Sequence, residues 1–492
     1  MKQFAFETRQ KNVLFGLMAL GAISLTASFF IDPTEHHTRF WTNLLHNSAF
    51  FGGIAFIAIF VTAATISMYA GWHVAFKRIW EGIGMFLPIG LLGIAIVGLG
   101  AVMKWHHLYH WADADIASHD KILTGKSGFL NIGMFFLATF GFGGVWYFFM
   151  RKFRSLSLAQ DEVRATTKTD YPWYEQMKVW GAIFLPIAGF TSAAAIWLWL
   201  MSLDAHWYST MYAWYTTASW WVSCLAATVL MLIYLKGKGY FTWVTDEHLH
   251  DLGKFMFAFT IFWTYLWFSQ YMLIWYANIG EETVYYRQRM GEFPVLFYGN
   301  LLMNFVLPFL ILIRNDTKRK WGTLTFSSIL IFFGHWWDFF QMVKIGPYKS
   351  ALADHAAEKG GEHISEAGGH AANAAHGAAT QAAGEHVAQA ATGAAEHVGQ
   401  AAEAVGHGAT EVVQAAVDAT PALDALNKMN ADNYFHYTPD MTAGFGIPGF
   451  LEIGTFLGFG ALFVWFVFNQ LSKASLIPEN DPYLEETLNH HS

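Results

Sequence analysis

Long apolar runs separated by short polar stretches set the pattern of this chain. Ten of them predict helices, at 12–31, 47–70, 82–103, 127–150, 179–200, 215–235, 252–277, 294–313, 322–343 and 446–470. About twenty residues at 1.5 Å each cross a bilayer core, and each run is long enough. Single apolar runs in lipid must be helical, because their backbone groups have no water to bond. The pattern therefore predicts an all-α, polytopic membrane protein with ten transmembrane helices. Pro88, Pro186 and Pro308 fall inside three runs and predict kinks. The first run, Val13 to Ile31, exceeds the 7–15 residues of a signal-peptide core and reads as a retained helix.

Composition agrees with lipid as the main solvent. The chain has 492 residues, 54% hydrophobic, 18% aromatic and only 13% charged. Soluble domains carry about 25% charged residues. The net charge of −8 and the lack of a compact basic patch argue against a nucleic-acid partner. Lys2, Arg9, Lys11, Lys77, Arg78, Arg151, Lys152 and Arg154 lead a marked Lys/Arg excess on one side of the predicted spans. The positive-inside rule then places both termini in the cytoplasm. Cys224 is the single cysteine. That excludes an intrachain disulfide, covalent c-haem attachment and a multi-cysteine iron–sulfur cluster. There is no GxxxxGK[ST] phosphate loop, zinc motif or nucleophile elbow.

Residues 351–430 are a different material, rich in Ala, Gly and His. Glu385–Ala391 and Glu396–Ala402 repeat at an eleven-residue period. The segment reads as a low-complexity insertion in an outer loop, with metal binding the minor alternative and no metal site expected.

Ionisable residues inside spans are costly and need a reason. His335 and Asp338, in GHWWDFFQ, share one face of the ninth span at i, i+3. Asp338 lies about 24 Å along that helix from Gly322. The pair suits a proton path, a quinone contact or a buried pair that locks helices. In the second case Trp336, Trp337, Trp267 and Tyr271 would enclose the ring. The seventh span, KFMFAFTIFWTYLWFSQYMLIWYANIGEE, carries Ser269 and Gln270 inside and ends in Glu281 and Glu282. Arg287 and Arg289 are near enough in sequence to pair with those acids. Asp204 and His206 close the fifth span on the same outer side, and His106, His107 and His110 form a loop there. His73, Glu81, His250 and Asp251 fall on the inner side, as the mouth of a proton path or an ordinary wet surface. Bis-histidine haem is not expected, because only His335 is clearly inside a predicted span.

The ten spans, the MSLDAHWYST segment from Met201 and the DLGKFMFAFTIFWTYLWFSQYMLIWYANIGEE segment from Asp251 closely resemble the ActF subunits of bacterial alternative complex III, within the NrfD/PsrC-like membrane family. The resemblance covers nearly all the chain outside the insertion. It implies two four-helix bundles, spans 2–5 and 6–9, flanked by the first and last helices. The chain then divides into 1–46, 47–200 for the first bundle, 201–350 for the second, the 351–430 insertion, and 431–492. The resemblance also implies a bacterial inner-membrane complex that oxidises quinol or menaquinol and passes electrons to cytochrome c or a terminal oxidase. Its c haems and iron–sulfur clusters sit in partner subunits. The implied partners are the ActC paralogue, the iron–sulfur protein ActB, the c-haem subunits ActA and ActE, small membrane subunits and lipid. ActF subunits are named as second quinone-binding subunits and have been suggested to form proton-conducting half-paths. A stand-alone secondary transporter is the reading from another class, but no convincing pair of broken midplane helices supports it.

Overall fold

A backbone surrounded by apolar side chains satisfies its own polar groups most economically as helix, and the structure follows that logic throughout. The computed structural model describes residues 3–32, 34, 36–162, 172–351 and 444–490. No β-strand occurs among them. Apart from Ala351, the expected insertion lies outside the described residues.

Among the described residues, ten long helices correspond to the ten predicted runs. They are α1 (Thr8–Phe30), α2 (Thr38–Ser67), α3 (Lys77–Val102), α4 (Ile132–Glu162), α5 (Pro172–Leu203) and α6 (Met211–Gly237), then α7 (Asp246–Ala277), α8 (Pro294–Leu312), α9 (321–351) and α10 (Phe450–Leu471). Eight of these are long and apolar enough to cross a membrane. The other two, α7 and α9, are less apolar on average but no shorter. α7 opens on Asp246, Glu247, His248, His250 and Asp251 and carries as many Trp and Tyr as Leu and Ile. α9 carries His335, Asp338, Gln341 and Lys344 along one side. The chain is therefore an all-α, multi-pass membrane protein. Fully presented apolar side chains agree with this, among them Phe190 at 83% and Phe450 at 96% exposure.

The three prolines act differently. Pro88 opens a new helical stretch after a turn at Met85 and Phe86, so α3 is broken there. Pro186 is accommodated inside α5. Pro308 follows a π-helical turn at Leu302–Val306 that loosens α8. A second π turn, Leu137–Phe142, interrupts α4.

α2 is buried on nearly every side because it is enclosed by other helices. It packs against α3, α5 and α6. Gly53 of α2 gives way to the Trp220 ring of α6, which a Cβ would meet at 1.8 Å. α1 and α10 form an extensive pair. Gly21 sits opposite Gly454 and Gly458, a small-xxx-small stripe that lets two backbones meet. A Cβ on Gly458 would lie 2.4 Å from the Gly21 Cα. The first and last helices thus pack on each other.

Candidate functional site

α6, α7, α8 and α9 each bring a polar side chain to one buried point, the Asp338 carboxylate. Asp338 and His335 both have no exposed surface. Oδ1 of Asp338 accepts from the Tyr215 hydroxyl of α6, from Asn300 Nδ2 of α8 at 2.8 Å and from Gln341 Nε2 of α9 at 3.1 Å. Oδ2 accepts from Ser219 Oγ of α6 at 3.1 Å and from Trp263 Nε1 of α7 at 3.3 Å. All five donors are neutral, and an ionised carboxyl is acceptor-only, so the donor set is filled by the carboxylate form.

His335 joins through Ser219. Ser219 Oγ lies 2.9 Å from His335 Nδ1. A hydroxyl has one proton, and here it goes to Asp338, so Nδ1–H donates to the serine oxygen in the neutral tautomer. The lone pair of His335 Nε2 is then buried with no hydrogen-bond partner among the described residues. The Trp263 ring packs edge-on to the imidazole at 5.3 Å.

Asn304 lies in the π turn of α8 and Asn300 just before it; four residues apart, both face α9. Asn304 Nδ2 donates to Asn300 Oδ1 at 2.6 Å and to the Gly334 carbonyl at 2.8 Å. A Cβ at Gly334 would meet Asn304 Oδ1 at 2.3 Å, so glycine is needed for the approach. Sequence reading missed this asparagine pair, although two asparagines at i, i+4 in an apolar run were a visible signal.

α9 continues as a polar stripe at i, i+3 steps: His335, Asp338, Gln341, Lys344. Lys344 is fully buried and its ammonium donates to the Arg39 carbonyl at 3.3 Å. Arg39 grips Glu452 of α10 through Nε at 2.8 Å and Nη2 at 3.0 Å. Asn43 adds a bond to Glu452 Oε1 at 3.2 Å. The expectation that only His335 lies clearly inside a span is corrected by His46. It is buried within α2, which starts at Thr38 rather than 47, and its Nε2 bonds the Trp336 carbonyl at 2.9 Å.

The other predicted residues lie in separate groups. Asp204 pairs with Arg289 at 2.9 Å. Arg289 also lies over the Tyr285 ring, 3.3 Å from its centroid. His206 pairs instead with Asp120 at 2.5 Å, and that bond with two backbone N–H donors holds the Asp120 carboxyl below its usual range. Glu281 and Glu282 occupy the first turn of a short helix, Gly280–Gly291, where acids favour the helix dipole. The sequence proximity of Arg289 was misleading, because the fold commits it to Asp204. Ser269 and Gln270 are buried on α7, with Gln270 beside Tyr286.

Of the aromatics considered for a quinone pocket, Trp336 is fully buried, whereas Trp337, Trp267 and Tyr271 are partly buried. Trp336 stacks on His46 at 4.8 Å and lies 4.7 Å from Phe456. Its indole N–H donates to Asn47 Oδ1 at 3.1 Å. Trp337 donates to the Leu296 carbonyl at 3.1 Å.

At the end that holds Gln3 and residues 472–490, Glu81 is not on a wet surface. It is fully buried, accepting from Arg78 and Arg154 at 2.8 Å each and from Ser157 at 2.6 Å. Lys77 pairs with Asp481 at 3.0 Å, both buried. His73 is buried against Trp80, and burial pushes it down to about 4. Asp251 bonds Lys254 at 2.9 Å and His490 at 2.6 Å, and His250 lies 3.8 Å from Glu247. Among the described residues no group of three or more His, Cys, Asp or Glu could hold a metal.

These features define a polytopic helical membrane protein with a buried carboxylate at the meeting point of four helices. No family model and no curated protein matches the chain.

Proposed function

We propose that the chain is an integral membrane subunit of a quinol-oxidising respiratory complex of the alternative complex III type, in the bacterial inner membrane with both termini cytoplasmic. It holds the architecture of the complex and carries protons, while haems and iron–sulfur clusters in partner subunits pass electrons to cytochrome c or an oxidase. The resemblance of the Met201 and Asp251 segments supports the family. The Lys/Arg distribution supports the orientation.

One observation carries the proton role: Asp338 is fully buried and held by five neutral donors, with no hydrogen bond from a cation among the described residues. A carboxylate in a membrane helix is retained at a cost, and such residues mark ion and proton pathways. His335, Ser219 and Asp338 form a hydrogen-bonded relay in which a proton on Nδ1 is one hydroxyl away from the carboxylate. Gln341 and Lys344 extend the polar stripe from there toward Arg39 and Glu452.

The test is Asp338→Asn in the assembled complex, reconstituted in liposomes. Assembly and quinol oxidation should persist, with fewer protons moved per electron. An unchanged proton-to-electron stoichiometry overturns the proton role.

A further inference from the structure

A groove of 570 Å³ opens between α1, α6 and α10, and none of the residues that bond Asp338 lines it. The volume lies in the range of small-molecule sites, about 300–1,000 Å³. Its lining is sorted by depth on two of its three walls. On α1, Arg9 stands at the rim and Val13, four residues on, lies one turn deeper. α6 runs the other way and gives Lys238 at the rim, Tyr234 one turn deeper and Leu230 a turn beyond that. On α10, Phe468 and Val464 repeat the four-residue step without a charge.

Gln10 Nε2 donates to the Tyr234 hydroxyl at 3.0 Å, bracing α1 against α6 beneath the rim. Arg9 and Lys238 are both exposed. Glu7 is the carboxylate on this lining, so two cations face one acid. Val13 is 58% exposed, although it faces an apolar furrow. The rim lies at the end of the bundle that carries Gln3 and Ser472, where the helices leave their apolar stretches.

We infer that this groove binds one anionic glycerophospholipid, with its phosphate at Arg9 and Lys238 and an acyl chain laid along Val13, Leu230 and Val464. A headgroup with surplus negative charge matches the rim, and a hydrocarbon chain matches the depth. Basic pockets between helix ends recognise acidic lipids in this way. Neither a soluble anion nor an apolar ligand would use both levels.

The experiment uses the full chain in nanodiscs of phosphatidylglycerol and phosphatidylcholine in equal amounts, with tightly held lipid read by native mass spectrometry. The wild type should retain phosphatidylglycerol preferentially. Arg9→Gln with Lys238→Gln should lower that preference about fivefold per cation removed. Val13→Trp keeps every charge but fills the furrow, and it should lower retention of both lipids. The inference is overturned if the wild type shows no preference or the double charge variant keeps it. Retention undiminished in Val13→Trp also overturns it, since surface charge alone would then hold the headgroup. A protein helix cross-linked into the groove in place of lipid does so as well. Because Val13→Trp leaves the rim intact, it reads the site even where the charge variant fails to fold.

Discussion

Arg39 of α2 and Glu452 of α10 lie 413 residues apart in sequence and meet in a two-bond fork, with both side chains buried. The pair ties the last helix to the most enclosed one. Taking charges out of water is costly, and their attraction repays it only when geometry is good and the remaining lone pairs are used. Here Asn43 and the Gly449 N–H, at 3.0 Å, use them. Arg39→Met alone leaves a buried carboxylate without its partner and should cost about 3–5 kcal/mol. The double change Arg39→Met with Glu452→Leu should recover most of that loss. Melting curves of the purified protein in detergent, arranged as a double-mutant cycle, check it.

The Gly21–Gly458 contact leaves no room for a side chain, because the clash at 2.4 Å is with backbone. Gly458→Val should therefore part α1 from α10 and destabilise by about 1–3 kcal/mol. Phe15 and Trp465 report the separation directly, their rings being 5.9 Å apart. A Phe15→Cys, Trp465→Cys pair should cross-link readily with a short bifunctional thiol reagent. The same pair in the Gly458→Val background should cross-link poorly. Cys224 is buried and does not interfere.

His106 links stability to pH outside the spans. Its Nε2 bonds the Val97 carbonyl at 2.8 Å and the Leu108 N–H donates to Nδ1 at 3.2 Å, which fixes the neutral ring. Burial, aided by His107 and His36, pushes it down from 6.5 to about 4. Between those values the unfolded chain takes up a proton that the folded chain refuses. Stability is therefore unaffected above pH 6.5 and falls as the pH drops toward 4, by about 3 kcal/mol in all. His106→Gln should be less stable at pH 7.5 but should lose less on acidification. Thermal melts at pH 7.5, 6 and 4.5 test the difference in slope.

The membrane spans were legible because hydropathy reads length and polarity, which lipid constrains directly. His335 and Asp338 were legible for the same reason: an ionisable pair stands out in an apolar run. Their partners were not. Tyr215, Ser219, Trp263 and Asn300 come from three other helices, and which faces meet depends on packing that no local pattern encodes. Glu452, an acid inside the predicted span at 446–470, was passed over, and Arg39 and Lys344 fall outside the predicted spans at 47–70 and 322–343. The fold buries them by starting α2 at Thr38 and continuing α9 past residue 343. In the loops, Asp204 and His206 are two residues apart yet face different partners, Arg289 and Asp120, so proximity in sequence carried no information about pairing.

Lys344 separates a structural stripe from a conducting one. Among the described residues its ammonium makes a single hydrogen bond, at 3.3 Å to a carbonyl, and otherwise lies over the Phe340 and Phe445 rings at 5.7 and 5.0 Å. Lys344 lies in the field of the Glu452 and Asp32 carboxylates and of the Arg39 guanidinium. A methionine of similar length would fill the same space without the cost of burying a cation. If the stripe is only packing, Lys344→Met should leave or raise the melting temperature and leave proton movement alone. If Asp338 discharges its proton along Gln341 and Lys344, the same change should keep the melting temperature while lowering protons moved per electron, as Asp338→Asn does. The second outcome is expected. The check is to measure both quantities on one preparation of the reconstituted complex. A variant that loses stability and keeps full stoichiometry would assign Lys344 to the fold and take the path elsewhere.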